Sequence, residues 1–81
     1  MFNYHHVLYT TVMEELQTLG KRIKSLRKEK NLTQEELAHE SGISVFHLIK
    51  IENGKSNPTF ETLVKLSKGF DISLSELVKE L

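Results

Sequence analysis

An all-α chain of five helices is what this sequence predicts, and three observations lead there. After Glu14, apolar residues recur at steps of three and four, the spacing of one helix face. A Ser or Thr stands before four of these runs, at Thr33, Ser44, Thr59 and Ser73, where its hydroxyl can cap a helix start. Asn31, Gly42 and Gly54 stand after three of them, and these residue types tolerate the left-handed backbone that closes many helices. No segment beyond Glu14 alternates strictly enough to be a strand.

The elements follow in order. Glu14 to Lys30 carries Leu16, Leu19, Ile23 and Leu26 on one stripe, and its cationic last turn suits the negative end of the helix dipole. Thr33-Gln34-Glu35-Glu36 is a capping box that opens a second helix, with Leu37 and Ala38 inward and Gly42 at the stop. Ser44 starts a third helix that runs to Asn53, where Gly54 ends it. Lys55 to Pro58 is a loop. Thr59 caps a fourth helix with Leu63, Leu66 and Phe70 inside, and a second capping box, Ser73-Leu74-Ser75-Glu76, opens a short fifth. Residues 14–81 thus form one domain, preceded by an extension, residues 1–13, of different character. Its Tyr4, Val7, Leu8, Tyr9, Thr10, Thr11 and Val12 are strand-favouring types. That extension can prolong the first helix, pair with its own copy in a dimer, or stay disordered.

Eighty-one residues fit one domain, and no attached sensor is expected. A chain this size buries about 60% of its unfolded surface, so a partner subunit would help it. It has no cysteine, which excludes disulfides and thiolate metal sites. No apolar stretch approaches the roughly 20 residues of a membrane helix, and no secretory signal opens the chain, so a cytoplasmic location is expected. Net charge is zero, but six of the eleven basic residues lie between Lys21 and Lys30, while the acids concentrate later. That asymmetry permits a local basic face and predicts weaker non-specific affinity for nucleic acid than a uniformly basic chain would show.

The segment Gln34 to Asn53 carries the function. Two short helices that cross at about 90–120° need a small residue where the axes approach, a residue at ease with positive φ in the turn, and apolar anchors on the second helix. Ala38, Gly42, and the pair Leu48 and Ile51 meet these needs at the right offsets. With Leu48 and Ile51 inward, helical spacing turns Val45, Phe46, Ile49, Lys50 and Asn53 outward.

From about Leu19 to Leu81 the sequence resembles the phage-repressor and Cro-like helix-turn-helix family, also called the xenobiotic-response-element family. The resemblance rests on Gly20-Lys21-Arg22-Ile23-Lys24-Ser25-Leu26-Arg27, Leu32-Thr33-Gln34-Glu35-Glu36-Leu37-Ala38, Ile51-Glu52-Asn53-Gly54-Lys55 and Leu74-Ser75-Glu76-Leu77. It implies a compact five-helix, repressor-like domain that binds double-stranded DNA as a transcriptional regulator; no cofactor is expected. It implies base contacts from Ser44, Val45, Phe46 and Lys50, and phosphate contacts from Gln34, Asn53 and Lys55. Thr33 is expected to join the phosphate contacts, and His47 beside them can donate to a phosphate or pack at the helix edge. It also implies that Arg27 and Glu52 form an ion pair tying the first helix to the recognition helix.

Two departures stand out. Val45, Phe46 and Ile49 occupy positions usually polar in the family. They can touch thymine methyls but cannot make bidentate hydrogen bonds. The alternative is that they, or the N-terminal extension, bind a protein, such as a toxin in an antitoxin role. Asp71 stands where the family often has Gly after the fourth helix, and Asp can visit the left-handed region at some cost. One recognition helix reads few base pairs, so a homodimer on a pseudo-palindromic operator is expected. Leu74, Leu77, Val78 and Leu81, more apolar surface than one short turn can bury, are its expected interface.

Enzymatic and metal chemistry find no support. His5 and His6 are neighbours whose side chains point apart, with no third ligand near in sequence. Ser41, Ser44 and His47 share a short stretch, but Ser44 is better used as an N-cap, and no Gly-rich loop follows a strand.

Overall fold

The computed structural model describes residues 4–79 and 81, with side chains from Leu8 onward apart from residue 80. Five helices run in order: α1 Tyr4–Glu29, α2 Gln34–Ser41, α3 Val45–Glu52, α4 Phe60–Phe70 and α5 Leu74–Leu77. Of the outcomes open to the N-terminal segment, prolongation of the first helix is observed from Tyr4 onward. Extending an existing helix needs no new nucleus, and this outweighs the weak preference of Val and Thr for strands.

The helix starts match the chemistry of their sequence. Thr33, Ser44, Thr59 and Ser73 accept from the backbone N–H of Glu36, His47, Thr62 and Glu76 at 3.0, 3.1, 3.2 and 3.0 Å. At Thr33 the box is reciprocal, because its own N–H donates to Glu36 Oε1 at 2.9 Å. The reciprocal box expected at Ser73 is half a box. Glu76 Oε1 turns instead to Lys79 Nζ at 3.1 Å and Arg22 Nη2 at 3.5 Å, charged partners that outcompete one backbone N–H.

The first four helices end in one way. Asn31, Gly42, Gly54 and Asp71 have φ of 57°, 70°, 71° and 57°. The N–H of the next residue reaches back five positions: Leu32 to Arg27, Ile43 to Ala38, Lys55 to Lys50 and Ile72 to Ser67, at 2.9–3.0 Å. This is the Schellman closure. Asp71 adopts the left-handed conformation expected of it in place of Gly.

The core gathers Leu19, Ile23 and Leu26 of α1, Leu37 and Ala38 of α2, Leu48 and Ile51 of α3, Leu66 and Phe70 of α4, and Leu77 of α5. Helix α1 packs on α3, α2 on α3 and α4, and α4 on α5. Gly20 sets the first contact. A Cβ there would lie 2.5 Å from the Ile51 carbonyl oxygen and 2.6 Å from that of Glu52, so the α1 backbone sits directly on the end of α3. Leu77 corrects the expected dimer surface. It is fully buried in the chain's own core, with Leu74 and Val78 half-buried against it, so only Leu81 of that set is exposed.

Candidate nucleic-acid interface

Helix α3 is fixed from below and open above. Leu48, Ile51 and Glu52 are buried, while Phe46 is 76% exposed and Lys50, one turn later, is exposed beside it. Val45, His47 and Ile49 are half-buried, and Val45 packs against the core. The apolar patch expected of Val45, Phe46 and Ile49 is therefore chiefly one side chain, Phe46.

Glu52 is the anchor. Its Oε2 accepts from Arg27 Nε at 2.7 Å, and its Oε1 accepts from Arg27 Nη2 and from Gln34 Nε2, both at 3.1 Å. Arg27 Nη1 also donates to the Leu32 carbonyl at 3.0 Å. The fork-on-carboxylate geometry ties α1, the start of α2 and the end of α3 at one point. Its hydrogen bonds to Glu52 raise the Arg27 pKa above its usual value, against the opposing effect of burial. The pair implied by the resemblance is thus in contact. Gln34, assigned to phosphate, is half-buried with one amide N–H committed to Glu52, so one further amide hydrogen is available to a phosphate.

The other assigned residues lie around the same rim. Thr33 is exposed, but its N–H and its acceptor oxygen serve the capping box, so only its hydroxyl proton can reach out. Ser44 is exposed in the same condition, its oxygen holding the His47 amide. Asn53 caps α3 and is exposed, as is Lys55. The Thr33 backbone N–H, donating to Glu36 Oε1, is the leading cause that holds the Glu36 carboxyl below its ordinary pKa.

Lys55 carries a signal of its own. A Schellman closure commonly places an apolar residue just after the left-handed position, packed back on the helix. Leu32, Ile43 and Ile72 do so here, half-buried against the core. At the end of α3 the residue is Lys55, exposed, directly after the recognition helix.

The basic face of α1 is smaller than its composition suggested. Arg27 turns to Glu52, and Arg22 Nη2 donates to the Glu76 carbonyl at 2.9 Å, linking α1 to α5. That second link has no local signature, since its partners lie 54 residues apart. Lys21, Lys24, Lys28 and Lys30 remain exposed. Ser41 is buried, and among the described residues no three His, Asp or Glu converge on a possible metal site. The side chains of His5 and His6 lie outside the described ones.

The arrangement defines a helix-turn-helix whose second helix presents an exposed ridge. Residues 23–77 match the model of the Helix-turn-helix family HTH_3, and the chain belongs to that family. It is 41% identical over 66 residues to the HTH-type transcriptional regulator y4dJ of Sinorhizobium fredii, covering 82% of this chain and 86% of that one. It is 40% identical over 63 residues to the immunity repressor of Bacillus phage phi105, covering 78% of this chain but 44% of that protein. Among solved structures it superposes on the restriction-modification controller protein C.AhdI of Aeromonas hydrophila with a TM-score of 0.77. That match is 34% identical and covers 79% of this chain and 97% of the other. Among the described residues no helix is long and apolar enough to cross a membrane.

Proposed function

We propose that the chain is a non-enzymatic, cytoplasmic transcriptional regulator that reads double-stranded DNA as a homodimer, with α3 in the major groove. The observation that carries this reading is the outer rim of α3, where Phe46 and Lys50 project one turn apart and Lys55 replaces a buried apolar residue. The relatives support it, being a regulator, a phage repressor and a restriction-modification controller.

In this reading Lys50 and Phe46 lead the base contacts. Ser44 adds a hydroxyl proton, and Val45, half-buried, adds only its outer methyl surface. Thr33, Gln34, His47, Asn53 and Lys55 hold phosphates and set register, which base contacts then turn into specificity. Exposed lysines of α1 add long-range attraction that salt weakens. A protein-docking role for Val45, Phe46 and Ile49, as in an antitoxin, has less support, because two of the three are half-buried and leave no wide apolar patch.

Selection of bound duplexes from a random pool, followed by titration at two salt concentrations, tests the proposal. The expected result is a two-fold-symmetric preference with half-sites about one helical turn, ~34–36 Å, apart, and affinity that falls with salt. Binding without any sequence preference, or none at low salt, would refute it.

A further inference from the structure

The stripe that buries α1 does not stop where the domain stops. Ile23 and Leu19 are 0% and 4% exposed, Leu16 is half-buried, and Val12 and Leu8 on the same face are 47% and 44% exposed. Tyr9 beside them is exposed too. All 11 Lys and Arg and all 11 Asp and Glu lie from Glu14 onward, so the first thirteen residues carry no such charge. A helix this poor in charge and apolar along its face is built to be covered, not solvated. Residues 4–15 extend about 18 Å at the helical rise, and the molecule measures 48 Å along its longest axis against 24 and 21 Å across.

Beside this ridge lies a groove lined by Val12, Leu16, Leu19, Pro58, Leu63 and Leu81. Ridge and groove share Val12 and sit side by side on one chain. A two-fold axis near Val12 would lay the ridge of each copy into the groove of the other, the self-complementary arrangement an isologous dimer requires.

We infer that a second copy of this chain covers the N-terminal half of α1, the Leu8–Val12 ridge of each protomer seating in the Leu16–Pro58–Leu63–Leu81 groove of its partner. This deepens the proposed function, on which it rests for the need of two copies, by naming the surface that joins them. Area favours a second copy paired here over one paired through α5 alone. A stable interface takes about 800 Å² from each partner, some 20–30 residues a side. Helix α5 is four residues long and has Leu77 buried inside, so it cannot supply that surface by itself. Three turns of α1 with the groove extend it, and Leu81 makes the two surfaces continuous.

The test is sedimentation of the full chain and of the double variant Leu8→Lys, Val12→Lys. Four apolar side chains leave the interface per dimer, so self-association is expected to weaken by about 100-fold or more. Glu14→Lys, about 200° round the helix from Val12, is expected to leave it unchanged. A second readout needs no variant. The chain has no Trp, and its two tyrosines, Tyr4 and Tyr9, both lie on this segment, so tyrosine emission reports on it selectively. Iodide quenching should fall as concentration rises through the dimerisation range. A parent that stays monomeric at tens of micromolar, a double variant that dimerises as its parent does, or quenching that never changes would each overturn the inference. A fall in quenching that requires a different protein would overturn it as well. Titration of a duplex with a single half-site separates this result from the DNA reading. If the double variant binds it as the parent does, the loss lies in pairing alone. A parent that pairs through this face yet binds no duplex sinks the DNA reading and leaves the inference standing.

Discussion

Glu52→Ala removes three hydrogen bonds at once and leaves Arg27 and Gln34 without their shared partner. The side chains of Arg27 and Glu52 are 11% and 1% exposed, so the stranded guanidinium is largely shielded from water. Breaking a buried pair from one side costs about 3–5 kcal/mol. Arg27 keeps its bond to the Leu32 carbonyl and a little solvent, which places this case near the lower end, about 3 kcal/mol. A chain of 81 residues has a total stability of about 4–12 kcal/mol, so the loss is a large share of it. At about 4–8 °C per kcal/mol for a domain this size, the melting midpoint should drop by about 12–24 °C. Far-UV circular dichroism melts at two protein concentrations measure this and separate it from any loss of dimer. Arg27→Met combined with Glu52→Leu should recover more than half of the drop, limited by the Gln34 amide still left over. If Glu52→Ala melts within about 3 °C of the parent, the pair contributes little and the reasoning fails.

Gly20→Ala should destabilise by about 1–3 kcal/mol, read in the same melts, because the new Cβ meets backbone oxygens at 2.5 and 2.6 Å and α1 must lift off α3. Acid should weaken the fold through Glu36, held low by Thr33, and Glu76, held low first by Lys79. A carboxyl with a depressed folded pKa stabilises above its unfolded value and loses that contribution as pH falls through the folded one. Melting midpoints should therefore decline below about pH 5, and Glu36→Gln with Glu76→Gln should make that decline shallower. Lys55→Ala should weaken binding to all duplexes about equally and make the salt dependence shallower by about one phosphate contact per subunit, measured by titration at several salt concentrations.

Helix starts and stops were legible because they are local. A hydroxyl three residues before an amide, or a Gly or Asn after an apolar run, carries its own geometry, and Asp71 could be placed in the left-handed region by analogy. The Arg27–Glu52 pair was named by resemblance, since no local pattern joins residues 25 apart. Arg22 and Glu76, 54 residues apart, have no local pattern either, and a count of basic residues does not show that two of them turn inward. Helix α5 is too short for its periodicity to say which of Leu74, Leu77 and Val78 faces in. The strand-favouring types before Glu14 misdirect because residue preference is weaker than the advantage of continuing a formed helix. The departure at Lys55 was available in the sequence. It emerges once the four helix closures are aligned and Leu32, Ile43 and Ile72 are set beside it.

Discrimination by Lys50 tests the central claim most directly. The parent and Lys50→Ala are titrated, at one fixed salt concentration, against the selected operator and a panel of duplexes each changed at one base pair. An exposed lysine one turn from Phe46 on the outer face of α3 should read one or two positions per half-site. Lys50→Ala should lose about 1–3 kcal/mol of discrimination at those positions and keep it elsewhere, provided the lysine makes a bidentate contact with guanine. Equal weakening on every duplex, or an unchanged pattern of discrimination, would mean that the outer face of α3 does not read bases.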